Sequence, residues 1–195
     1  LLLARGHHAV DAAVRAGEWP KVEGISLAGQ RLGVVGLGSI GRAIARRGNG
    51  FAMDVVAHDP YADPALSVES GVQLLDLDEL LRTSRFVVLA SPLTPETHHM
   101  IDKAALSLMQ PDAFLVNVGR GPLVDEPALV EALAAGTIAG AGLDVFEVEP
   151  LPASSPLRTM PNVVLGAHNG SNTRQGVARA SAEAVTRLLE SLGAR

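Results

Sequence analysis

The sequence predicts an α/β domain built on a doubly wound, mostly parallel β-sheet with helices on both faces. Short apolar segments of strand length alternate with helical segments along almost the whole chain, which is the pattern of β-α-β units. The apolar residues are mainly aliphatic, because 47% of the 195 residues are hydrophobic and only 3% are aromatic. An aliphatic core suits strands that are buried on both faces.

The first half of the chain supplies four of the expected strands. Helix 1–17 has apolar residues at helical spacing and ends at a glycine, and a loop around Trp19 follows it. An apolar strand starts at residue 31 and ends in glycines, and helix 40–51 comes next. Strands 54–58 and 72–75 are short apolar runs, and helix 76–83 starts with an aspartate that can cap it. Strand 85–90 closes before Pro92.

The second half continues the alternation. Helix 103–108 precedes strand 113–118, and helix 125–135 stops at Gly136. Strands 138–145 and 163–167 complete the sheet, and helix 173–192 is amphipathic. Its apolar side is formed by Val177, Ala180, Ala184, Val185, Leu188 and Leu189.

Composition and charge exclude several classes of protein. The net charge of −5, without runs of like charge, argues against a nucleic-acid partner. The chain has no cysteine, which excludes a disulfide scaffold, a cysteine-ligated zinc site and a thiol nucleophile. It has no 18-residue apolar span, so we expect no membrane partner. A cysteine-free chain suits a reducing compartment, and we expect a cytoplasmic protein.

A glycine-rich turn, Gly36-Leu-Gly-Ser-Ile-Gly41, follows the first predicted strand and opens the next helix. In this context the G-x-G-x-x-G pattern is the dinucleotide-binding fingerprint of a Rossmann-type fold. Gly36 permits the tight turn, Gly38 leaves room for a pyrophosphate and Gly41 permits close packing. The free N–H groups of the helix N-terminus favour phosphate.

Asp59 ends the second predicted strand. A carboxylate there can accept hydrogen bonds from the ribose hydroxyls of NAD and repels the 2′-phosphate of NADP. The alternative is a turn-forming role before Pro60. Residues 60–62 offer no arginine for a 2′-phosphate. We therefore expect NAD as the cofactor.

Three later strand ends carry polar residues, in segments 117–121, 143–150 and 166–171. The carboxyl ends of parallel strands line the ligand crevice of an open α/β sheet. Arg120 and His168 are therefore candidate site residues. Glu147 and Glu149 are equivalent candidates on spacing alone.

Taken in order, these motifs resemble the nucleotide-binding domain of the D-isomer-specific 2-hydroxyacid dehydrogenases. The matching stretches are 36–41, 91–97, 117–121 with 123–126, 143–150 and 168–170. The resemblance runs from Trp19 almost to the C-terminus. It implies an NAD-dependent oxidoreductase that interconverts a D-2-hydroxy acid and its 2-keto acid by hydride transfer.

The resemblance implies catalytic roles for Arg120, Glu149 and His168, and it selects Glu149 over Glu147 because of the following proline. Histidine titrates near neutrality and can move the proton. A carboxylate beside it favours the imidazolium form. An arginine fork can hold the substrate carboxylate and polarise the carbonyl group.

The resemblance also implies cofactor contacts from the glycine turn, the loop after the fourth strand and the later strand ends. These contacts are Gly36, Gly38, Ser39, Ile40, Gly41, Asp59, Pro92, Thr97, Val118, Gly119, Arg120, Asp144, His168 and Gly170. Asp144 is expected beside the nicotinamide carboxamide. Its alternative role is a hydrogen bond to the backbone at the strand end.

The chain departs from the family pattern beside the candidate histidine. Ala167 stands where the family usually has proline, and Asn169 stands where an apolar residue is common. These differences leave the substrate preference undetermined. Formate dehydrogenases of the family usually have glutamine at the position of Glu149, which argues against that activity. The other histidines have no metal-ligand spacing, so we expect no metal.

The resemblance also sets expectations about domains and assembly. Residues 1–195 are expected to form the NAD-binding domain, with a hinge-side helix and loop at 1–26 and the family's substrate domain absent from this chain. Such a domain should bind NAD but catalyse the reaction weakly or not at all, because half of the cleft that excludes water is absent. The family pairs through this domain, so we expect a homodimer that uses segment 1–17 and the Trp19 loop.

Two other functions share parts of this pattern. An NAD-sensing, non-catalytic binding module of the corepressor type has the same three catalytic residue types, and the fold alone does not separate it from an enzyme. The NAD-holding domain of adenosylhomocysteine hydrolase is a weaker alternative, because it leaves the Arg, Glu-Pro and His motifs unexplained.

Overall fold

A parallel sheet with helices on both sides organises the computed structural model, which describes residues 1–62 and 71–193. The elements are α1 (Leu2–Arg5), α2 (His7–Arg15), β1 (Arg31–Val35), α3 (Ser39–Gly50), β2 (Asp54–His58), β3 (Gln73–Leu74), α4 (Leu77–Thr83), β4 (Phe86–Leu89), α5 (Lys103–Leu108), β5 (Phe114–Asn117), α6 (Glu126–Ala135), β6 (Gly140–Leu143), β7 (Val163–Leu165) and α7 (Arg174–Ser191). Short 3₁₀ turns lie at Gly121–Leu123 and Pro156–Thr159.

The strand order is β3-β2-β1-β4-β5-β6-β7, and each neighbouring pair is parallel. The predicted doubly wound parallel sheet is therefore confirmed. The order reverses at β1, which has β2 on one side and β4 on the other. A crevice opens at such a switch point, beyond the carboxyl ends of the strands.

The core lies on both faces of the sheet. Val34 and Val35 of β1 are both fully buried, and they belong to clusters on opposite faces. The larger cluster includes Leu80 and Leu129 from helices α4 and α6, and the smaller includes Ala45 from α3. Burial on both faces explains why the strands are continuous aliphatic runs.

Most helices begin at a side-chain cap. Asp76, Asp102, Asp125 and Thr173 each accept a hydrogen bond from a backbone N–H in the first turn of the helix that follows. Two helices expected to include an aspartate therefore start one residue after it. Helices α1, α2 and α3 have no side-chain cap, and the N-cap residue of α3 is Gly38.

Four sequence expectations about the elements were wrong in detail. The single helix expected over 1–17 is two helices, because Gly6 has φ of 56° and ends α1. The strands expected over 72–75, 138–145 and 163–167 are shorter, as β3, β6 and β7.

The apolar side of α7 is not part of the core. No described residue of this helix is buried, and Val177, Val185, Leu188 and Leu189 are all exposed. The apolar periodicity correctly predicted the helix, but the apolar side of α7 stays exposed in the part of the chain that the structure describes. No helix within residues 1–62 and 71–193 is long and apolar enough to cross a membrane.

Candidate active site

The glycine turn is tightly packed on its protein side. Gly36 has φ of 91°, and a Cβ there would lie 2.7 Å from the backbone nitrogen of Ser91. A Cβ on Gly41 would overlap the carbonyl oxygen of Gly36. Only glycine fits these two positions, since both require close backbone approach. A Cβ on Gly38 would meet nothing within 4 Å, so the turn is open there.

The open side of the turn fits a dinucleotide pyrophosphate. Because α3 lacks a side-chain cap, its first N–H groups are free to bind an anion. Ser39 and Ile40 begin this 12-residue helix and are exposed, with Ile40 at 57% despite its apolar side chain. The predicted phosphate-binding residues therefore share one accessible helix end.

Asp59 lies directly beside this turn. Its Oδ2 accepts a hydrogen bond from the N–H of Leu37 at 2.7 Å, and its Oδ1 accepts one from the N–H of Tyr61 at 2.9 Å. Each carboxylate oxygen keeps a second lone pair. The turn-forming role and a ribose contact are thus compatible at this residue.

Arg120 is presented by a turn that Asn117 shapes. Asn117 is 1% exposed; its amide donates to the carbonyl of Arg120 at 2.9 Å, and its carbonyl oxygen accepts from the N–H of Gly119 at 3.1 Å. A Cβ on Gly121 would overlap the carbonyl oxygen of Phe146, so the chain after Arg120 lies against the loop that follows β6. Sequence reasoning missed Asn117, although a buried amide between a strand and a Gly-Arg-Gly turn was the available signal.

His168 and Glu149 form a hydrogen-bonded pair. The imidazole Nδ1 lies 2.8 Å from Oε2 of Glu149, and the other carboxylate oxygen accepts the N–H of Phe146 at 3.1 Å. His168 has φ of 56°, and its N–H donates to the carbonyl of Asp144 at 2.7 Å. Within the described ranges its Nε2 has no hydrogen-bond partner. This nitrogen is therefore free to meet a ligand.

The electrostatics place a negative charge on Glu149. The hydrogen bond with His168 is the main cause that lowers the pKa of Glu149 from 4.5, and the Phe146 N–H adds to the effect. The charges of His168 and Arg120 lower this pKa further, whereas burial opposes them. Arg120 thus acts on the same carboxylate that His168 contacts. That Arg120, Glu149 and His168 form one catalytic site stays a prediction.

Asp144 holds the loop after β7. Its Oδ1 accepts the N–H of Asn169 at 3.0 Å, and its Oδ2 accepts the N–H of Gly170 at 2.7 Å. The backbone-binding role considered from the sequence is therefore the one present in the described structure. The expected contact with a nicotinamide carboxamide stays a prediction.

The loop between β4 and α5 is closed by its own side chains. The hydroxyl of Thr97 donates to the carbonyl of Pro92 at 2.8 Å and accepts from the N–H of Thr94 at 2.8 Å. Val118, at the next strand end, donates its N–H to the carbonyl of Leu89 at the end of β4. These bonds fix the edge of the crevice on the β4–β5 side.

Two cavities share His168. One of about 900 Å³ also touches Ser39 and Gly170, and the other, of about 560 Å³, touches Glu149. A third, of about 320 Å³, is bordered by Val118 and Asp144. The imidazole therefore stands between the space beside the glycine turn and the space beside its carboxylate partner.

The chain matches known proteins along its length. Residues 1–170 match the family described as D-isomer specific 2-hydroxyacid dehydrogenase, NAD binding domain. A glyoxylate reductase of Thermococcus onnurineus is 46% identical over 200 residues, which cover 97% of this chain and 59% of that enzyme.

Solved structures agree with this match. The TT0316 protein of Thermus thermophilus has a TM-score of 0.92 and 42% identity, and the match covers 100% of this chain and 62% of that protein. D-lactate dehydrogenase of Aquifex aeolicus, complexed with NAD and lactic acid, has a TM-score of 0.88 and 30% identity, over 99% of this chain and 63% of its own. This chain thus spans about three fifths of these relatives. It belongs to the NAD-binding domain family of the D-isomer specific 2-hydroxyacid dehydrogenases.

Proposed function

We propose that the protein interconverts a D-2-hydroxy acid and its 2-keto acid with NAD as the redox partner. The observation that carries the proposal is the 2.8 Å contact between His168 and Glu149, which leaves Nε2 of the histidine without a hydrogen-bond partner among the described residues. Arg120 acts on the same carboxylate, and the glycine turn opens near His168. A proton donor, its carboxylate partner and an anion-binding fork are the groups that keto-acid reduction requires.

Each side chain has a separate task in this reaction. Arg120 binds the substrate carboxylate and polarises the neighbouring carbonyl group. His168 donates the proton on Nε2 to the carbonyl oxygen during reduction, and accepts it back during oxidation. Glu149 accepts the hydrogen bond from Nδ1, which leaves the transferable proton on Nε2 and stabilises the imidazolium. When bound, the reduced nicotinamide supplies the hydride to the carbonyl carbon.

The residues beside the glycine turn are proposed to hold the cofactor. The N-terminus of α3 with Ser39 and Ile40 would bind the pyrophosphate, and Asp59 would bind the ribose hydroxyls. We also propose that residues 1–195 act as the NAD-binding domain, with 1–26 on the hinge side. The greater length of the relatives supports a further part of the enzyme that covers the cleft.

A substrate panel tests the proposed activity. Full-length protein would be assayed for NADH oxidation with glyoxylate, hydroxypyruvate and pyruvate, and for NADPH oxidation in parallel. We expect turnover of at least one acid, with NADH preferred. NADH binding without turnover of any 2-keto acid would contradict the proposal. None of the findings favours the corepressor alternative.

The proposed assembly is a homodimer. Leu1, Leu2 and Trp19 are exposed, which supports a contact surface formed by α1, α2 and the following loop. Sedimentation of the protein checks this assembly. The cytoplasmic location suggested by the composition stays a prediction, which cell fractionation checks.

Asp59→Asn is expected to reduce discrimination between the two cofactors. Asparagine keeps the shape of the side chain and one of the two oxygens that accept the N–H groups of Leu37 and Tyr61, but it loses the charge that repels a 2′-phosphate. We expect the ratio of the NADPH and NADH dissociation constants to fall by about tenfold, since a hydrogen bond to a charged group is worth about 1.5–3 kcal/mol. Calorimetric titration with both cofactors measures the ratio. Asp54→Asn, at the other end of β2, is the matched control, and equal ratios in both variants would contradict the role of Asp59.

Glu149→Gln is expected to change the pH dependence of stability. The folded state lowers the pKa of Glu149, so its ionised form stabilises the fold above the ordinary value of 4.5. This contribution is lost as the pH falls through the lowered pKa. The difference in urea midpoint between the wild type and the variant should therefore be largest near pH 6 and shrink toward pH 3. A difference independent of pH over this range would contradict this assignment.

A further inference from the structure

A second histidine–carboxylate pair is formed by His99 and Glu147. Nε2 of His99 is 2.7 Å from Oε1 of Glu147, and the two side chains are 35% and 27% exposed. Glu147 is the carboxylate that spacing alone could not separate from Glu149. The structure gives each glutamate of this Glu-Val-Glu sequence its own histidine.

Glu147 is fixed by more than its histidine. Its Oε1 also accepts the N–H of Glu126 at 3.1 Å, and Oε2 of Glu126 accepts the N–H of Glu147 at 3.2 Å. This reciprocal pair ties the loop after β6 to the first turn of α6. The cap Asp125 brings a third carboxylate to the same helix start. His99 is the side chain that supplies a donor, and positive charge when protonated, to this acidic group.

His99 is itself held in an unusual position. It has φ of 53°, its N–H donates to the carbonyl of Pro122 at 2.8 Å, and its ring stacks on His98 with centroids 4.0 Å apart. A bulky residue rarely adopts positive φ, so the surroundings must enforce it. Two residues later, Ile101 pairs with Val124. The segment after the predicted cofactor loop is therefore anchored to the chain that follows Arg120.

The pair thus joins three segments that the reaction needs. Gly121 allows the turn that carries Arg120 to pack against the backbone of Phe146. The N–H of Phe146 donates a hydrogen bond to the carboxylate of Glu149. Glu147 lies between Phe146 and Glu149 in sequence. Its contact with His99 links the cofactor loop to the loop that carries Glu149.

We propose that His99 and Glu147 are positioning residues that set the geometry of the Glu149–His168 pair and of the Arg120 turn. Neither is assigned to contact substrate or cofactor. The inference rests on the proposed function, because it concerns how the proton donor and the substrate-binding arginine are aligned. Misalignment on the order of 1 Å can cost up to about 10²-fold in rate.

The variants His99→Asn and Glu147→Gln test the pair, with His7→Asn, at an exposed position of α2, as the control. Asparagine tolerates positive φ but is too short to reach Glu147. We expect kcat of the full-length protein to fall about tenfold in His99→Asn, with the NADH dissociation constant unchanged within about twofold. The fall in kcat should be smaller in Glu147→Gln, because the amide oxygen of glutamine can still accept the hydrogen bonds from His99 and from the N–H of Glu126. The double variant should be no worse than His99→Asn, since the two residues act as one pair.

A spectroscopic readout separates this inference from the proposed function. The imidazole resonances of His168 should shift in His99→Asn but not in His7→Asn, whether or not the protein turns over substrate. Unshifted resonances, or a kcat equal to that of the wild type, would overturn the inference. If the wild-type protein turned over no 2-keto acid, the proposed function would be contradicted. The His168 resonances of the variants would still decide whether His99 and Glu147 position the Glu149–His168 pair. If His99→Asn does not fold, Glu147→Ala breaks the same contact and is judged by the same two measurements.

Discussion

His168→Asn is expected to lower kcat for keto-acid reduction by about 10²–10⁴-fold, the usual contribution of a positioned proton donor. Asparagine is the informative replacement because His168 has φ of 56°, a conformation that asparagine adopts readily. The backbone bond to the carbonyl of Asp144 can then persist while the imidazole is removed. Stopped-flow measurement of a single turnover gives the rate of the chemical step directly.

The NADH dissociation constant should change much less than the rate. The loop that carries His168 is held by Asp144 through two backbone contacts at Asn169 and Gly170, and these do not involve the imidazole. His7→Asn, on the exposed helix α2, is the control for a generic loss of histidine. A His168→Asn variant with a rate within about threefold of the wild type would contradict its assignment as the proton donor.

The partner of His168 should not behave independently. Glu149 acts through the imidazole, so Glu149→Gln combined with His168→Asn should be no slower than His168→Asn alone. The hydrogen bond between the two side chains is the main cause of the lowered pKa of Glu149. Additive losses in the double variant would indicate a separate role for the carboxylate.

The sequence was sufficient for the features that local rules determine. The glycine turn could be predicted because Gly36 and Gly41 each meet a steric requirement that no other residue satisfies. The strands could be predicted because burial on both faces selects continuous aliphatic runs. Parallel strands carry their carboxyl ends to one edge, so the fold class places Arg120, Glu149 and His168 after strand ends at the same edge of the sheet.

Other features depend on contacts between distant segments and could not be predicted. Glu147 contacts His99, whereas Glu149 contacts His168. This difference could not be predicted, because the position of His99 depends on its positive φ and on the hydrogen bond from its N–H to the carbonyl of Pro122. The break at Gly6 depends on competition between helix propagation and a left-handed cap. The exposure of α7 could not be predicted either, because hydrophobic periodicity identifies the apolar side of a helix but not the residues that pack against it.

The second large effect concerns Arg120, for which Arg120→Lys keeps the charge but loses the planar fork. Lysine cannot bind a carboxylate through two parallel hydrogen bonds, and its ammonium group does not reproduce the position of the guanidinium. We expect kcat/KM for the keto acid to fall by about 10²–10³-fold, the usual cost of removing one donor that stabilises developing charge. Steady-state kinetics with varied keto acid measures the loss, and NADH binding is measured in parallel.

The structure makes this variant interpretable because the turn around Arg120 is held by Asn117 as well as by the arginine side chain, whose Nη1 donates to the carbonyl of Gly119 at 2.7 Å. Asn117 holds the turn through the backbone of Gly119 and the carbonyl of Arg120, so the lysine variant should keep the turn. Arg82→Lys, at an exposed position of helix α4, is the matched control. Added guanidinium ion should restore part of the activity of Arg120→Ala, since the missing group can bind in the vacated space. Retention of full kcat/KM in Arg120→Lys, or equal losses in the Arg82 control, would remove Arg120 from the substrate-binding role.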